Sequence, residues 1–179
     1  MDETDLKILD TLQHHARITN VALAEAVNLS PAPCLRRVRE LEERGVIRSY
    51  NTLLDADQLG WPVSVFIEIR LERQVIGDLK IFEEQIERFP EVMECYLMTG
   101  ASDYLLRVVA KDLKSLQTLI TDKLASIPNI ANIQSSIALK QVKYKTALPA
   151  LTPGAGAAAG MRTDGQRKTA LSAGGRVNR

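Results

Sequence analysis

Three arginines, Arg36, Arg37 and Arg39, fall within about one helical turn, just after the segment Ser30-Pro31-Ala32-Pro33. A guanidinium can grip a guanine edge through two hydrogen bonds or clamp a phosphate. Both are nucleic-acid chemistry. The spacing sorts the three. Cys34, Val38 and Leu41 recur at i, i+4 and i+7 and define a buried stripe. Arg36 points nearly opposite that stripe, Arg39 flanks Arg36, and Arg37 lies on the border. A solvated face neutralised by Glu40, Glu42 and Glu43 is the alternative for such a helix taken alone.

The elements before the arginines favour the DNA reading. Val21, Leu23, Ala24 and Val27 give a preceding helix its apolar face. Asn28 follows, and asparagine tolerates the left-handed backbone that ends a helix. Ser30 stands at the N-cap and Pro31 at the first helical position, where a missing N–H costs nothing. Two short helices joined by a tight turn make a helix-turn-helix, whose second helix enters the major groove. Ser30, Pro31, Ala32 and Pro33 form a small leading end that can approach DNA closely, with the positive end of the helix dipole towards a phosphate. After Gly45, Val46–Leu54 alternates like a short strand and is expected to form a wing carrying Arg48 as a phosphate contact. Leu6, Ile8, Leu9 and Leu12 predict a first helix, with Asp2, Glu3 and Asp5 at its start. Residues 1–54 thus read as a winged helix-turn-helix domain.

Other reactive side chains do not assemble. Asp103, the adjacent His14 and His15, and the cysteines belong to no local nucleophile motif, phosphate loop or metal signature. An enzyme is therefore not expected, nor a metal or other cofactor. Cys34 and Cys95 read as buried free thiols of a reducing compartment. Net charge is +1, with 45% hydrophobic and 25% charged residues, so binding must rest on a locally basic helix rather than on bulk charge. No run is long and apolar enough for a membrane span and no signal peptide is apparent. The expected location is the cytosol.

Residues 55–61 (DADQLGW) read as a hinge, and from Pro62 the pattern changes. Val63, Val65, Ile67, Ile69 and Leu71 alternate with Ser64, Phe66, Glu68 and Arg70 as a strand. A helix is predicted near Asp78–Phe89, strands over Val92–Met98 and Tyr104–Ala110, a helix bearing Leu113 to Ile127, and a strand over Asn132–Lys140. Thr99-Gly100-Ala101-Ser102-Asp103 between the middle strands is turn chemistry. Strand, helix, strand, strand, helix, strand is the βαββαβ, ferredoxin-like pattern, and the chain as a whole is α+β. Two helices cover one sheet face only. Phe66, Tyr96 and Met98 point to the other, which is expected to pair with a second copy in a homodimer. Residues 62–149 form this domain. Residues 150–179, rich in Gly and Ala and then in Arg and Lys, read as a disordered basic tail.

With DETDLKIL, ARITNVALAEAVNLSPAPCLRRVRELEERGVI and EVMECYLMTGASDYLLRV at these separations, the chain resembles the Lrp/AsnC (feast/famine) family of amino-acid-responsive bacterial regulators from Asp2 to Pro149. The resemblance implies a DNA-binding domain on an imperfect palindromic operator, and a sensing domain that assembles as dimers and further to tetramers or octamers. It implies an effector at Thr99, Gly100, Ala101, Ser102, Asp103 and Tyr104. Gly100 would allow close backbone approach, Asp103 would meet an amino group, and Ser135 and Ser136 would line the same pocket. Many members carry an acid directly after the glycine, where this chain has Ala101. The segment SSIALKQVKYKTALP looks like the branch that regulates branched-chain keto-acid breakdown, and also like relatives responding to sulfur amino acids. Leucine, isoleucine, valine and methionine are the first effectors implied. A ligand-independent nucleoid-organising protein is the competing reading of the same DNA-binding domain.

Overall fold

The computed structural model describes residues 1–149, in two units. Met1–Tyr50, joined by the returning chain from Lys145, makes the first, and Asn51–Tyr144 the second. The boundary therefore falls before the expected hinge. Residues 55–61 fall within the second unit and form a tight turn: the Leu59 N–H donates to the Asp55 carbonyl and the Trp61 N–H to the Ala56 carbonyl. Lys111 lies over the Trp61 ring. The expected basic tail lies outside the described residues.

The first unit holds three helices, α1 (Glu3–His14), α2 (Asn20–Ala26) and α3 (Pro31–Glu43). The starts of α1 and α2 are capped by side chains. Asp2 and Asp5 bond reciprocally to each other's backbone N–H, and Thr19 accepts from the Ala22 N–H. Ser30 sits at the N-cap of α3, but its hydroxyl makes no capping hydrogen bond. Between α2 and α3 the backbone of Asn28 is left-handed (φ 55°), and the Leu29 N–H returns to the Ala24 carbonyl at 2.8 Å. That is the tight turn read from the sequence. Ile8, Leu12, Leu23, Ala24, Val27, Cys34, Val38 and Leu41 are buried together. His14 and His15 lie at the end of α1, where the His14 ring meets the Asp10 carbonyl.

The expected wing strand is not formed. Val46–Leu54 pairs with no strand, and the N–H groups of Val46 and Ile47 turn back onto the Leu41 carbonyl. An alternating segment needs a ladder partner, and the described residues of this unit supply none.

The second unit contains β1 (Val63–Leu71), α4 (Ile76–Ile86), β2 (Val92–Leu97), β3 (Tyr104–Ala110), α5 and β4 (Ile130–Ile137). Helix α5 runs over Leu113–Thr118, opens to a π turn over Leu119–Lys123 and tightens to a 3-10 turn over Leu124–Ser126. The strands pair antiparallel in the order β2-β3-β1-β4, as the βαββαβ pattern requires. Val65, Ile67, Ile69, Tyr104, Leu106 and Val108 form the covered face and pack with Phe82, Ile86, Leu116, Leu119 and Leu124. The other face carries the exposed side chains of Phe66 and Tyr96, with Met98 just beyond β2. Cys34 is buried as expected, but Cys95 is exposed, because β2 is an edge strand.

Candidate DNA-reading helix and effector loop

Helix α3 presents one face to its own core and the other outward. Arg36 projects from the outward face with 71% of its side chain exposed, and its ionic neighbour Glu40 is 3.4 Å away. Ala32, Leu35, Arg36, Arg39, Glu40 and Glu43 line a shallow groove on that face. Ser30, Pro31, Ala32 and Pro33 are exposed at its leading end. The proline at the helix start and the uncommitted Ser30 hydroxyl keep that end small and able to donate. Arg48 is also exposed, on the irregular segment rather than on a wing. Two contributors escaped the sequence reading. Leu35 adds an apolar spot to the groove, and the Asn20 side-chain amide donates to the Pro31 carbonyl, tying α2 to the start of α3. No periodicity signals a bond of that kind.

Arg37 does not belong with Arg36 and Arg39. Its Nη1 donates to Asp2 Oδ2 and to Asp5 Oδ1, both at 2.7 Å. The border position read from the sequence is an internal one, and this guanidinium is engaged within the domain. Further along, the Tyr50 hydroxyl donates to Glu42 at 3.0 Å, and burial together with that carboxylate pushes the phenol up to about 12.

The loop between β2 and β3 is held more tightly than a bare turn. The Met98 N–H donates to the Asp103 carbonyl, and the Asp103 N–H to the Ile69 carbonyl. Asp103 is only 8% exposed. Its Oδ2 accepts from the Leu71 N–H and its Oδ1 from the Gln74 amide, each at 2.7 Å. The carboxylate expected to meet an effector's amino group thus already bonds the end of β1. Tyr104 is not a loop residue in function either. It is buried, stacked on Phe82 with ring centroids 4.4 Å apart, and its hydroxyl donates to Glu83. Burial, with that carboxylate beside it, raises its phenol above the ordinary range.

Gly100 has φ +120° and open space where a side chain would stand. Its backbone conformation, rather than a close approach, calls for glycine. Ser135 and Ser136 lie opposite Ile67 and Phe66 in the register. Adjacent strand residues point to opposite faces, so the two cannot line one pocket. Ser136 shares the open face with Phe66 and Glu68, and Glu68 accepts a 2.7 Å hydrogen bond from the Ser102 hydroxyl. The structure therefore places Ser102 against Glu68, with Ser136 opposite Phe66 further along the same face, leaves Thr99, Gly100 and Ala101 exposed at the tip, and sends Ser135 to the other side. Glu68 was legible only as an outward strand residue. Nearby on the open face, Glu94 accepts from the Tyr96 hydroxyl and from Arg107, each at 2.7 Å; the Tyr96 bond, followed by Arg107, holds its carboxyl below the usual range.

Comparison with known proteins agrees with both units. Residues 1–48 match a model described as winged helix-turn-helix DNA-binding, and residues 64–148 one described as the Lrp/AsnC ligand binding domain. The chain is 46% identical over 149 residues to the Bkd operon transcriptional regulator of Pseudomonas aeruginosa, covering 83% of this chain and 97% of that protein. It is 43% identical to the leucine-responsive regulatory protein of Rhizobium meliloti, covering 80% and 92%. Among solved structures, a transcriptional regulator of Neisseria meningitidis in complex with L-methionine superposes with a TM-score of 0.79 at 38% identity, over 83% of this chain and 96% of that one. An AsnC family regulator from Agrobacterium tumefaciens gives 0.78 at 42%, over 83% and 97%.

Proposed function

From the premise that this chain belongs to the Lrp/AsnC family of DNA-binding transcriptional regulators, we propose that its operator binding responds to leucine, isoleucine, valine or methionine. The observation that carries the DNA half is the outward face of α3, where Arg36 is exposed beside Arg39 behind a small leading end. Ser30, Pro31, Ala32, Pro33, Arg36 and Arg39 enter the major groove, Arg48 meets a phosphate, and Arg37 stays inside the domain. Two such helices in a dimer fit successive major grooves on an imperfect palindrome. The open sheet face with Phe66, Tyr96 and Met98 supplies the dimer contact. Dimers then associate into tetramers or octamers in the cytosol.

The effector half rests on the loop tip and the open face beside it. Thr99, Gly100 and Ala101 offer backbone groups, and Ser102, Glu68 and Ser136 offer polar side chains on one face. An amino acid seated there has its carboxylate on backbone N–H groups and its amino group near Glu68, while Asp103 holds the loop in shape. The relatives named for leucine and for the Bkd operon, and the methionine complex, support an aliphatic or sulfur amino acid and a target in branched-chain keto-acid breakdown. Such a ligand acts only through unequal affinity for two arrangements of dimers.

Thermal unfolding against a panel of the twenty amino acids tests this reading. A ligand at roughly 100 times its dissociation constant stabilises the fold by about 2.7 kcal/mol. A shift with one of the four named amino acids is the expected result. A flat panel on well-folded protein would favour a ligand-independent nucleoid organiser.

A further inference from the structure

Arg37 and its two carboxylates are the one ion cluster of the first unit that joins two helices far apart in sequence, among the described residues. The ion pairs Lys7–Glu3, His14–Asp10 and Arg36–Glu40 of that unit are exposed i,i+4 neighbours on a single helix. Pairs of that kind contribute little. The Arg37 cluster differs in joining separate segments and in the shielding of two of its three members, the Asp2 side chain being 53% exposed. The Arg37 side chain is 26% exposed and that of Asp5 12%, so solvent screens them less. Both contacts are 2.7 Å. The two acids are themselves fixed, since each accepts a backbone N–H from the other in the cap of α1.

Apart from Arg37, α3 is held by the buried stripe of Cys34, Val38 and Leu41 and, at its two ends, by the Asn20 amide on the Pro31 carbonyl and the Tyr50 hydroxyl on Glu42. Apolar contact is non-directional, so the stripe resists a roll of the helix only through its packing. Arg37 stands beside that stripe, about 100° around the helix from both Arg36 and Val38. Held there, it sets the roll. A roll of about 10–20° moves a guanidinium on the far side by about 1–3 Å, enough to spoil a two-bond grip on a base.

We propose that Arg37 is a positioning residue for DNA recognition: clamped by Asp2 and Asp5, it fixes the roll of α3 and so the aim of Arg36 and Arg39, and it touches no phosphate itself. This rests on α3 being the reading helix.

The two roles predict opposite signs. Removing an acid from a DNA-binding surface ordinarily strengthens binding, because it removes repulsion from phosphates. If Asp2 serves the clamp, removing its charge weakens operator binding instead. Asp2→Asn is well suited, since asparagine caps a helix as well as aspartate does. The experiment is fluorescence anisotropy with the full chain, across a salt series. One duplex is an operator selected by the parent protein from a random pool, and the other is an unrelated sequence. The variants are Arg37→Met, Asp2→Asn and, for reference, Arg36→Ala.

The expected result is that Arg37→Met loses tenfold or more on the operator, little on the unrelated duplex, and keeps the parent's salt slope. Asp2→Asn loses operator affinity in the same sense. The proposal is overturned if Arg37→Met weakens both duplexes equally and flattens the slope by about 0.9, the signature of a lost phosphate contact. It is overturned equally if Asp2→Asn binds the operator as tightly as the parent or more so. Should Arg37→Met fail to fold by circular dichroism, the sign for Asp2→Asn decides alone. If Arg36→Ala also leaves operator preference untouched, the assignment of α3 as reader fails, and that is distinguishable from failure of the clamp.

Discussion

Arg36 and Arg37 are neighbours of one chemical type with different employments, and the cause is the register of α3. Cys34, Val38 and Leu41 turn one face inward, which leaves Arg36 in solvent and brings Arg37 against the acids of α1. Arg36→Ala should cost about 1–3 kcal/mol of operator affinity if it grips a base, with an unchanged melting temperature. Asp103 poses the same question with the opposite answer. The loop acid looks like a ligand group in the sequence, but both its oxygens are taken by Leu71 and Gln74. Asp103→Ala should therefore lower stability by about 1–3 kcal/mol in urea unfolding, because it orphans the buried Leu71 N–H. A variant of parental stability with a blunted ligand response would return Asp103 to the effector. Gly100→Ala should also destabilise, by about 1 kcal/mol, from its backbone conformation alone.

The elements were legible where a pattern is local. Asn28, Ser30 and Pro31 spell the turn before α3, and alternation over Val63–Leu71 gives the central strand β1. What could not be read locally was pairing. Val46–Leu54 alternates as a strand should, yet among the described residues no strand pairs with it. Cys95 sits among apolar residues, yet edge placement exposes it, while burial still pushes its thiol up to about 11. The bonds of Asp103 and Arg37 are illegible for the same reason, since their partners lie 29 or more residues away. Helix α1 carries a pH signature. Bonds from the Asp5 N–H and then Arg37 lower the Asp2 carboxyl below its ordinary 3.8 in the folded state. The unfolded chain therefore binds the proton first, so this contribution is complete above about pH 4 and is lost as pH falls through the folded value. Acid titration followed by circular dichroism should show helix loss in that range, and Asp2→Asn should remove part of the pH dependence.

At the scale of the molecule, the sheet divides labour between its faces. One face packs on α4 and α5; the other presents Phe66, Tyr96 and Met98 among the polar groups Glu68, Glu94 and Arg107. Pairing of two open faces would bury that apolar surface and bring two reading helices into one assembly. Phe66→Arg should then shift sedimentation of the full chain towards monomer and weaken operator binding, since a half-site alone forfeits the second helix. The central claim is that this chain reads DNA through the outward face of α3. The most direct test is the ratio of operator to unrelated-duplex affinity for the parent and for Arg36→Ala, at one fixed salt concentration. The account predicts that the ratio collapses in the variant while binding to the unrelated duplex falls only slightly. An unchanged ratio would mean that α3 is not the reader.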